Sequence, residues 1–131
     1  MTPKEFHGAC RTNYFEVTDG PKLQKIARLV NATIKEHNGA FALIGRDGDH
    51  EMVHRTWDRD EKIELHELLA PILAKDSICV VVSGALHVDC QYVEAKSYAF
   101  NHKGECVNVN LNQIYRLAEQ KFGTRPNIAE W

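Results

Sequence analysis

Histidines are the residues of this chain that could bind a metal ion, and four of them stand in or near predicted elements: His50, His54, His66 and His87. His50 and His54 share one face of a predicted strand, about 13 Å apart. Imidazoles at that separation cannot bind one ion together. His87-Val-Asp-Cys90 offers several donors but has no second cluster to complete a ligand set. The sequence therefore predicts no metal site and no cofactor, and a small metal-dependent enzyme is kept as an alternative.

Carboxylates and serines are the other candidates for catalysis. Asp47 and Asp49 flank a glycine. Asp58, Asp60 and Glu61 precede a predicted helix. Turn formation and the helix dipole explain both groups without a catalytic role. The serines lie outside any G-x-S-x-G motif, and the chain has neither a P-loop nor a G-x-G-x-x-G loop, so we predict that the protein is not an enzyme.

Cysteine spacing and charge further limit the kind of protein. The four cysteines are Cys10, Cys79, Cys90 and Cys106. No two of them are close enough for a C-x-x-C pair or a zinc ribbon, which indicates free thiols. Sixteen basic residues stand against 18 acidic residues, for a net charge of −2. That balance argues against a protein that holds nucleic acid by charge alone.

Length and apolar content bound the domain organisation. The 131 residues, 44% of them apolar, suit one domain with one core. The longest apolar run, Ile78 to Val82, is too short to cross a bilayer. The N-terminus lacks the apolar stretch of a secretory signal. We therefore expect a cytoplasmic protein with a flexible arm over residues 1–11, a single α+β domain over 12–123 and a tail over 124–131.

Turn residues divide the domain into alternating elements. Asp19 and Pro21 indicate the start of a first helix, and Asn38-Gly39 is interpreted as its end. Asp47-Gly48 predicts a hairpin between two strands. Pro71 lies inside the second predicted helix, and we expect it to kink that helix or to delay its start. Strands are predicted at 13–18, 40–46, 50–57, 78–82, 91–100 and 106–109, and helices at 19–38, 61–75 and 111–122.

The order of these elements is βαββαβ followed by ββα. The first six elements are those of the ferredoxin-like, split βαβ fold. We therefore predict one antiparallel sheet with the first two helices on one face, and a C-terminal ββα extension. The small alternate residues of the 91–100 strand fit the face that the helices cover: Val93, Ala95, Ser97 and Ala99.

The other face of the predicted sheet carries tyrosines. Because Phe15 is expected to point into the core, Tyr14 lies on the open face. The alternation of the 91–100 strand places Tyr92, Lys96 and Tyr98 there too. Three interpretations stay open: the third helix covers this face, a partner protein covers it, or its aromatic rings stack on the bases of a nucleic acid.

Two segments carry a resemblance to known proteins: Arg11-Thr-Asn-Tyr-Phe-Glu-Val-Thr-Asp19 before a helix, and Leu68-Leu-Ala-Pro-Ile-Leu-Ala-Lys-Asp-Ser77 before an apolar strand. Over about residues 11–122 the chain resembles small proteins carried by phages, plasmids and integrated elements. The resemblance implies a mobile-element origin, and such accessory proteins are often stoichiometric inhibitors of host defence, including anti-CRISPR and anti-restriction proteins. It transfers no catalytic residue. The net charge of −2 is too small for a nucleic-acid mimic, so inhibition would occlude a protein surface.

We therefore expect a non-enzymatic mobile-element protein that binds and blocks a host protein complex. Aromatic and arginine side chains are the usual anchors of such contacts. The candidate binding residues are Tyr14, Arg55, Trp57, Arg59, Tyr92, Lys96 and Tyr98.

Two further expectations concern nucleic acid and self-association. A single-stranded nucleic-acid-binding module would use Tyr92, Lys96 and Tyr98 as its stacking patch. If the third helix leaves the tyrosine face open, Tyr92, Tyr98 and Phe100 are exposed together and predict a symmetric homodimer.

Overall fold

The protein is described by a computed structural model over residues 6–46, 48, 51–56, 61–87 and 93–127. Within those residues it is an α+β protein, as predicted, with eight strands, three α-helices and one 3₁₀ turn. In chain order the elements are β1 (Phe6–Thr12), α1 (Gly20–Leu29), β2 (Ala32–His37), β3 (Ala40–Gly45), β4 (Val53–Thr56), β5 (Glu61–Glu64), α2 (Leu65–Leu69), the 3₁₀ turn (Ala70–Ile72), β6 (Cys79–His87), β7 (Val93–Phe100), β8 (Cys106–Asn110) and α3 (Gln113–Phe122).

Six strands form one sheet in the order β2-β3-β1-β6-β7-β8, and all neighbours in it are antiparallel. β4 and β5 form a separate two-stranded ribbon. The antiparallel α+β class is confirmed, but the number and order of the strands depart from the predicted ferredoxin-like βαββαβ arrangement. Local differences at the N-terminus, after α1 and after β3 account for the departure.

β1 occupies the middle of the sheet, where the sequence predicted a flexible arm. It pairs with β6 along its whole length, from Phe6 opposite His87 to Thr12 opposite Val81. The arm prediction is therefore wrong for residues 6–11. Small residues in this strand lack the alternation of large apolar and polar side chains by which a strand is recognised.

The segment 13–18, predicted to be the first strand, continues β1 as an extended chain with isolated bridges. The main chains of Phe15 and Phe41 exchange two hydrogen bonds of 2.8 Å. Phe15 is 1% exposed and Tyr14 is 44% exposed. The predicted inward and outward directions of these two side chains are therefore confirmed.

α1 begins as predicted. The side chain of Asp19 accepts a hydrogen bond of 3.0 Å from the amide of Lys22, and Pro21 lies in the first turn. The helix ends at Leu29 rather than at residue 38, because Asn31 adopts a left-handed conformation with φ of 58°.

Asn38-Gly39 forms the turn of a hairpin and not the end of a helix. β2 and β3 pair on either side of it, with His37 opposite Ala40. Both turn residues have positive φ, 50° and 81°, as a type I′ hairpin turn requires. The predicted second half of the first helix is therefore β2.

The strand after Gly48 does not return along β3, so the predicted hairpin there is wrong, and Asp47 lies outside the described residues. β4 pairs with β5 instead, with Val53 opposite Glu64. The second predicted helix consequently begins only at Leu65. Pro71 lies in the 3₁₀ turn that follows α2. It marks the end of this helix, because a proline cannot donate a backbone hydrogen bond.

The core lies on one side of the six-stranded sheet, beneath α1 and α2. Alternate residues of the sheet strands reach it, because side chains alternate between the two faces of a strand. Its buried apolar side chains include Phe15, Leu23, Ile26, Leu43, Leu65, Leu69, Cys79, Val81 and Phe100. None of the described helices is long and apolar enough to cross a membrane.

β7 turns the opposite face to the core from the one predicted. Phe100 is 1% exposed and Tyr98 packs against the core. Val93, expected to be buried, is 58% exposed. The packing of two aromatic rings removes more apolar surface from water than the packing of valine and alanine. The placement of Tyr98 and Phe100 on the open face was therefore wrong, and their joint exposure no longer supports a homodimer through that face.

α3 lies close to its predicted range and ends at Gly123, whose φ is 77°. None of its residues is buried. The face of the six-stranded sheet that is turned away from the core also stays exposed. The interpretation in which the third helix covers the sheet is therefore wrong.

Candidate functional site

The open face is the side of β1, β6 and β7 that is turned away from the core. Strand register places Arg11, Val82 and Ser97 in one row across it. Its large apolar side chains, Val82, Leu86 and Val93, are exposed by 45, 39 and 58%. Contiguous exposed apolar patches of this kind mark interaction sites in soluble proteins.

Arg11 supplies the charge of this face. Among the described residues of β1, β6 and β7 that share the open face, it is the only one with a permanent charge. Its Nε donates a hydrogen bond to the carbonyl of Thr12 at 3.4 Å. The open face is therefore an apolar surface with one cation in the middle of its width.

β8 and α3 continue the exposed apolar surface beyond β7. Val107 and Val109 are 67 and 53% exposed, and the register with Ala99 and Ser97 places them on the same side as the open face. The apolar side chains of α3 and of the turn before it are also exposed: Leu111, Ile114, Leu117 and Phe122.

A cleft of about 370 Å³ lies on the core side of the sheet. Its walls come from β1, β6, β7 and β8 on the sheet side, and from Glu51 and Met52 before β4, Glu64 of β5 and His66 of α2 on the other side. Its lining includes Cys10, Glu51, Glu64, His66, Lys96, Tyr98, Asn108 and Asn110. A cleft of this size and mixed polarity can hold a small polar molecule.

Ion pairs surround the mouth of the cleft, and Glu51 is their centre. Its carboxylate lies 3.1 Å from Lys62 Nζ, 3.6 Å from Lys96 Nζ and 3.6 Å from the Arg55 guanidinium. The hydrogen bond to Glu51 raises the pKa of Lys62. Exposed pairs of this kind each stabilise a fold by only about 0–1 kcal/mol. Their main effect is to hold the charged ends of Lys62, Lys96 and Arg55 close to the Glu51 carboxylate.

Tyr98 lies inside the cleft against two other rings. Its ring is edge-on to His66 at 6.0 Å and stacked on Phe100 at 5.9 Å. Burial, with a contribution from the Glu64 carboxylate, raises the pKa of Tyr98 above its usual range. The phenol is therefore neutral at physiological pH.

The predicted site residues do not form one surface. Lys96 and Tyr98 line the cleft, and Arg55 lies near them through its ion pair with Glu51. Tyr14 lies apart from them, with its ring 5.8 Å from that of His37 at the end of β2. The candidates that lie outside the described residues are Trp57, Arg59 and Tyr92.

Sequence reasoning missed the valines that form the exposed surface. Val93 was assigned to the covered face, and Val107 and Val109 were counted only as parts of a short strand. Valines at alternate positions, separated by Asn108, were the available signal, since they give the strand one apolar face. The sequence did not reveal that nothing in the described chain covers that face.

The thiol of Cys79 predicts a pH dependence of stability. Burial, with a smaller contribution from Cys10, raises its pKa from 9.0 to about 12. An acid with a raised folded-state pKa stabilises the fold fully below the unfolded pKa, and this stabilisation is lost as the pH rises from 9 towards 12. We expect the free energy of unfolding to fall by up to about 1.4 kcal/mol per pH unit above pH 9. Urea unfolding at pH 8 and at pH 10 measures this loss.

Cys79→Ala is the control for this prediction. It removes the titrating thiol and leaves Tyr98 and Cys106 in place. The variant should lose less stability than the wild-type protein between the two pH values. An equal loss in both proteins would show that Cys79 is not the group responsible.

Within the described ranges, no three or more His, Cys, Asp or Glu side chains are grouped so as to hold a metal ion. Of the four candidate histidines, the side chains of His54 and His66 are described.

A scan of protein-family models, a search of curated proteins and a search of solved structures each find no match to this chain.

Proposed function

We propose that this chain is a non-enzymatic protein that binds another protein through its open face. The observation that supports the proposal is the exposure of Val82, Leu86 and Val93 on adjacent strands. Burial of one such side chain contributes about 1.5–3 kcal/mol when it is complete. A partner that covers all three therefore binds with several kcal/mol from apolar contact.

Arg11 determines the chemistry of that partner. A guanidinium that becomes buried in an interface needs a carboxylate to compensate its lost hydration. Arginine beside apolar side chains is a common centre of binding energy in protein interfaces. The partner surface is therefore apolar and carries an aspartate or glutamate opposite Arg11.

The role expected of small mobile-element proteins fits this mode of binding. A flat apolar face acts by covering a surface of its partner, in a fixed ratio of one face to one site. The proposed target is a cytoplasmic host protein complex, of which a CRISPR or restriction complex is the expected kind. Inhibition would follow from occlusion and needs no catalytic residue in this chain.

Titration of a partner against surface variants tests the proposal. Immobilised wild-type protein captures candidates from a bacterial lysate, and each purified candidate is then titrated in solution. Val82→Glu places a charge in the apolar centre of the face, and we expect it to weaken binding by more than about tenfold. Arg11→Glu should weaken binding by a similar factor, because it opposes the partner carboxylate.

Leu29→Glu is the matched control. Leu29 is 41% exposed, close to the 45% of Val82, but it lies at the end of α1 on the core side of the sheet. This variant should bind like the wild-type protein. A partner that binds all three variants equally, or the lack of any partner that forms a stoichiometric complex, would contradict the proposal.

A further inference from the structure

The two edges of the six-stranded sheet differ in charge. β2 forms one edge and carries the charged residues Lys35 and Glu36. β8 forms the other edge, and none of its residues from Cys106 to Asn110 is charged. Charged side chains discourage an edge strand from pairing with a further strand. The β2 edge is therefore protected and the β8 edge is not.

Main-chain groups along β8 point alternately towards β7 and away from the sheet. The N–H of Leu111 donates to the carbonyl of Ala95 at 3.2 Å, in the same register as the β7–β8 pairs. Residues at odd positions therefore bond to β7, since bonded and non-bonded pairs alternate in an antiparallel ladder. The residues whose N–H and C=O groups point outward are Cys106, Asn108 and Asn110.

Only some of these outward main-chain groups have a hydrogen-bond partner. The N–H of Asn110 donates to the side-chain oxygen of Gln113 at 3.0 Å. The outward N–H groups of Cys106 and Asn108 have no acceptor among the described residues. Unpaired groups of this kind on a β-strand are a template for another strand.

α3 begins beside this edge, because its first residue, Gln113, accepts the hydrogen bond from the outward amide of Asn110. Ile114, Leu117 and Phe122 are 60, 54 and 73% exposed, and Leu111 in the preceding turn is 47% exposed. Leu111, Ile114 and Leu117 follow one another at spacings of three residues and so share one side of the helix. Lys121, four residues after Leu117, lies on the same side, and its long side chain can keep the ammonium in water. The protein thus combines an uncharged strand edge with a helix whose large apolar side chains are exposed.

We infer that a second copy of this chain covers β8 and α3. The two β8 strands pair antiparallel about a two-fold axis through the outward groups of Cys106 and Asn108, and the apolar side of α3 is buried against the other copy. In antiparallel pairing, an edge strand can pair with the same edge strand of a second copy. The second copy then supplies the hydrogen-bond partners that Cys106 and Asn108 lack.

Apolar side chains and main-chain groups together form the surface that the second copy covers. Leu111, Ile114 and Leu117 supply apolar contact, and the outward groups of Cys106 and Asn108 supply main-chain pairing. Val107 and Val109 stay on the side of the open face. The two-fold axis is perpendicular to the sheet, so both open faces lie on the same side of the dimer. This interface goes beyond the proposed function, because it leaves Val82, Leu86 and Val93 uncovered.

The molecular mass in solution tests the inference. The chain has a mass of 14.9 kDa, and light scattering of the wild-type protein should give roughly 30 kDa, as a two-fold dimer requires. Leu117→Glu places a carboxylate in the buried side of α3. We expect it to raise the dissociation constant of the dimer by about a hundredfold or more. Arg116→Glu is the matched control on the opposite, polar side of α3, where Arg116 is exposed, and it should leave the mass unchanged.

Asn108→Pro tests the strand pairing separately. Proline removes the outward N–H of Asn108 but no hydrogen bond to β7, and an edge strand accepts it when the lost N–H faces outward. We expect a single-chain mass with an unchanged circular dichroism spectrum. A wild-type protein that stays a single chain at high concentration, an assembly of more than two chains, or a dimer that survives both Leu117→Glu and Asn108→Pro would overturn the inference. The binding titrations with Val82→Glu alter neither β8 nor α3, so they succeed or fail independently.

Discussion

Replacing Phe100 with alanine is expected to lower the free energy of unfolding by about 3–5 kcal/mol. Phe100 is 1% exposed and lies opposite Cys79 in the register of β6 and β7. Its ring is 5.9 Å from that of Tyr98 and 6.1 Å from that of His66 on α2. Alanine leaves a cavity where the sheet meets this helix. Urea unfolding followed by circular dichroism measures the loss.

Val93→Ala is the control for this substitution, because it removes an apolar side chain from the same strand. Val93 is 58% exposed, so its truncation should change stability by no more than about 0.5 kcal/mol. If Phe100→Ala proved no more costly than Val93→Ala, the assignment of the buried face of β7 would be wrong.

Thr12→Val is expected to destabilise the protein by about 1–3 kcal/mol, although the two side chains have almost the same shape. Thr12 is 0% exposed. Its hydroxyl accepts a hydrogen bond of 2.9 Å from the amide of Leu43 and donates one of 2.8 Å to the carbonyl of Asn13. Valine leaves the buried amide of Leu43 without an acceptor. Urea unfolding again provides the measurement.

Two controls separate the hydroxyl from other effects. Thr12→Ser keeps the hydroxyl and should cost less than Thr12→Val, although it also removes a methyl group. Thr33→Val makes the same chemical change at an exposed position of β2, where water satisfies the backbone. We expect little change in stability there. If Thr12→Val and Thr33→Val had equal effects, the Leu43 hydrogen bond would contribute nothing.

The parts of the fold that follow from local chemistry could be predicted from the sequence. Asp19 and Pro21 begin α1 because capping and the first helical turn depend only on neighbouring residues. Gly123 ends α3 for the same kind of reason. Asn38-Gly39 was ambiguous, because left-handed residues serve both as helix ends and as hairpin turns. Only the pairing of β2 with β3 decides between them.

Features that depend on distant contacts could not be predicted. Alternation along β7 defines two faces, but the packing of Tyr98 and Phe100 against α2 determines which face is buried. The small residues of β1, such as Gly8 and Ala9, carry no strand signal of their own. β1 is a strand because β3 and β6 lie on either side of it.

The surroundings of the predicted site residues depend on distant contacts in the same way. A binding protein was expected to use aromatic and arginine anchors, and Lys96 and Tyr98 do lie together, in the cleft. The exposed surface consists instead of Val82 and its neighbours. Those valines resemble core residues in sequence, and they are distinguished from core residues only by the lack of any described element over them.

Lys35 and Glu36 on β2 limit how far copies of this protein can polymerise. A sheet with two uncharged edges would add a copy at each end and grow without limit into a fibre. Here each copy has one edge that accepts a strand and one that resists it, so growth ends after a single addition. The colloidal stability of the protein therefore depends on the six-residue strand that lies farthest from its candidate site.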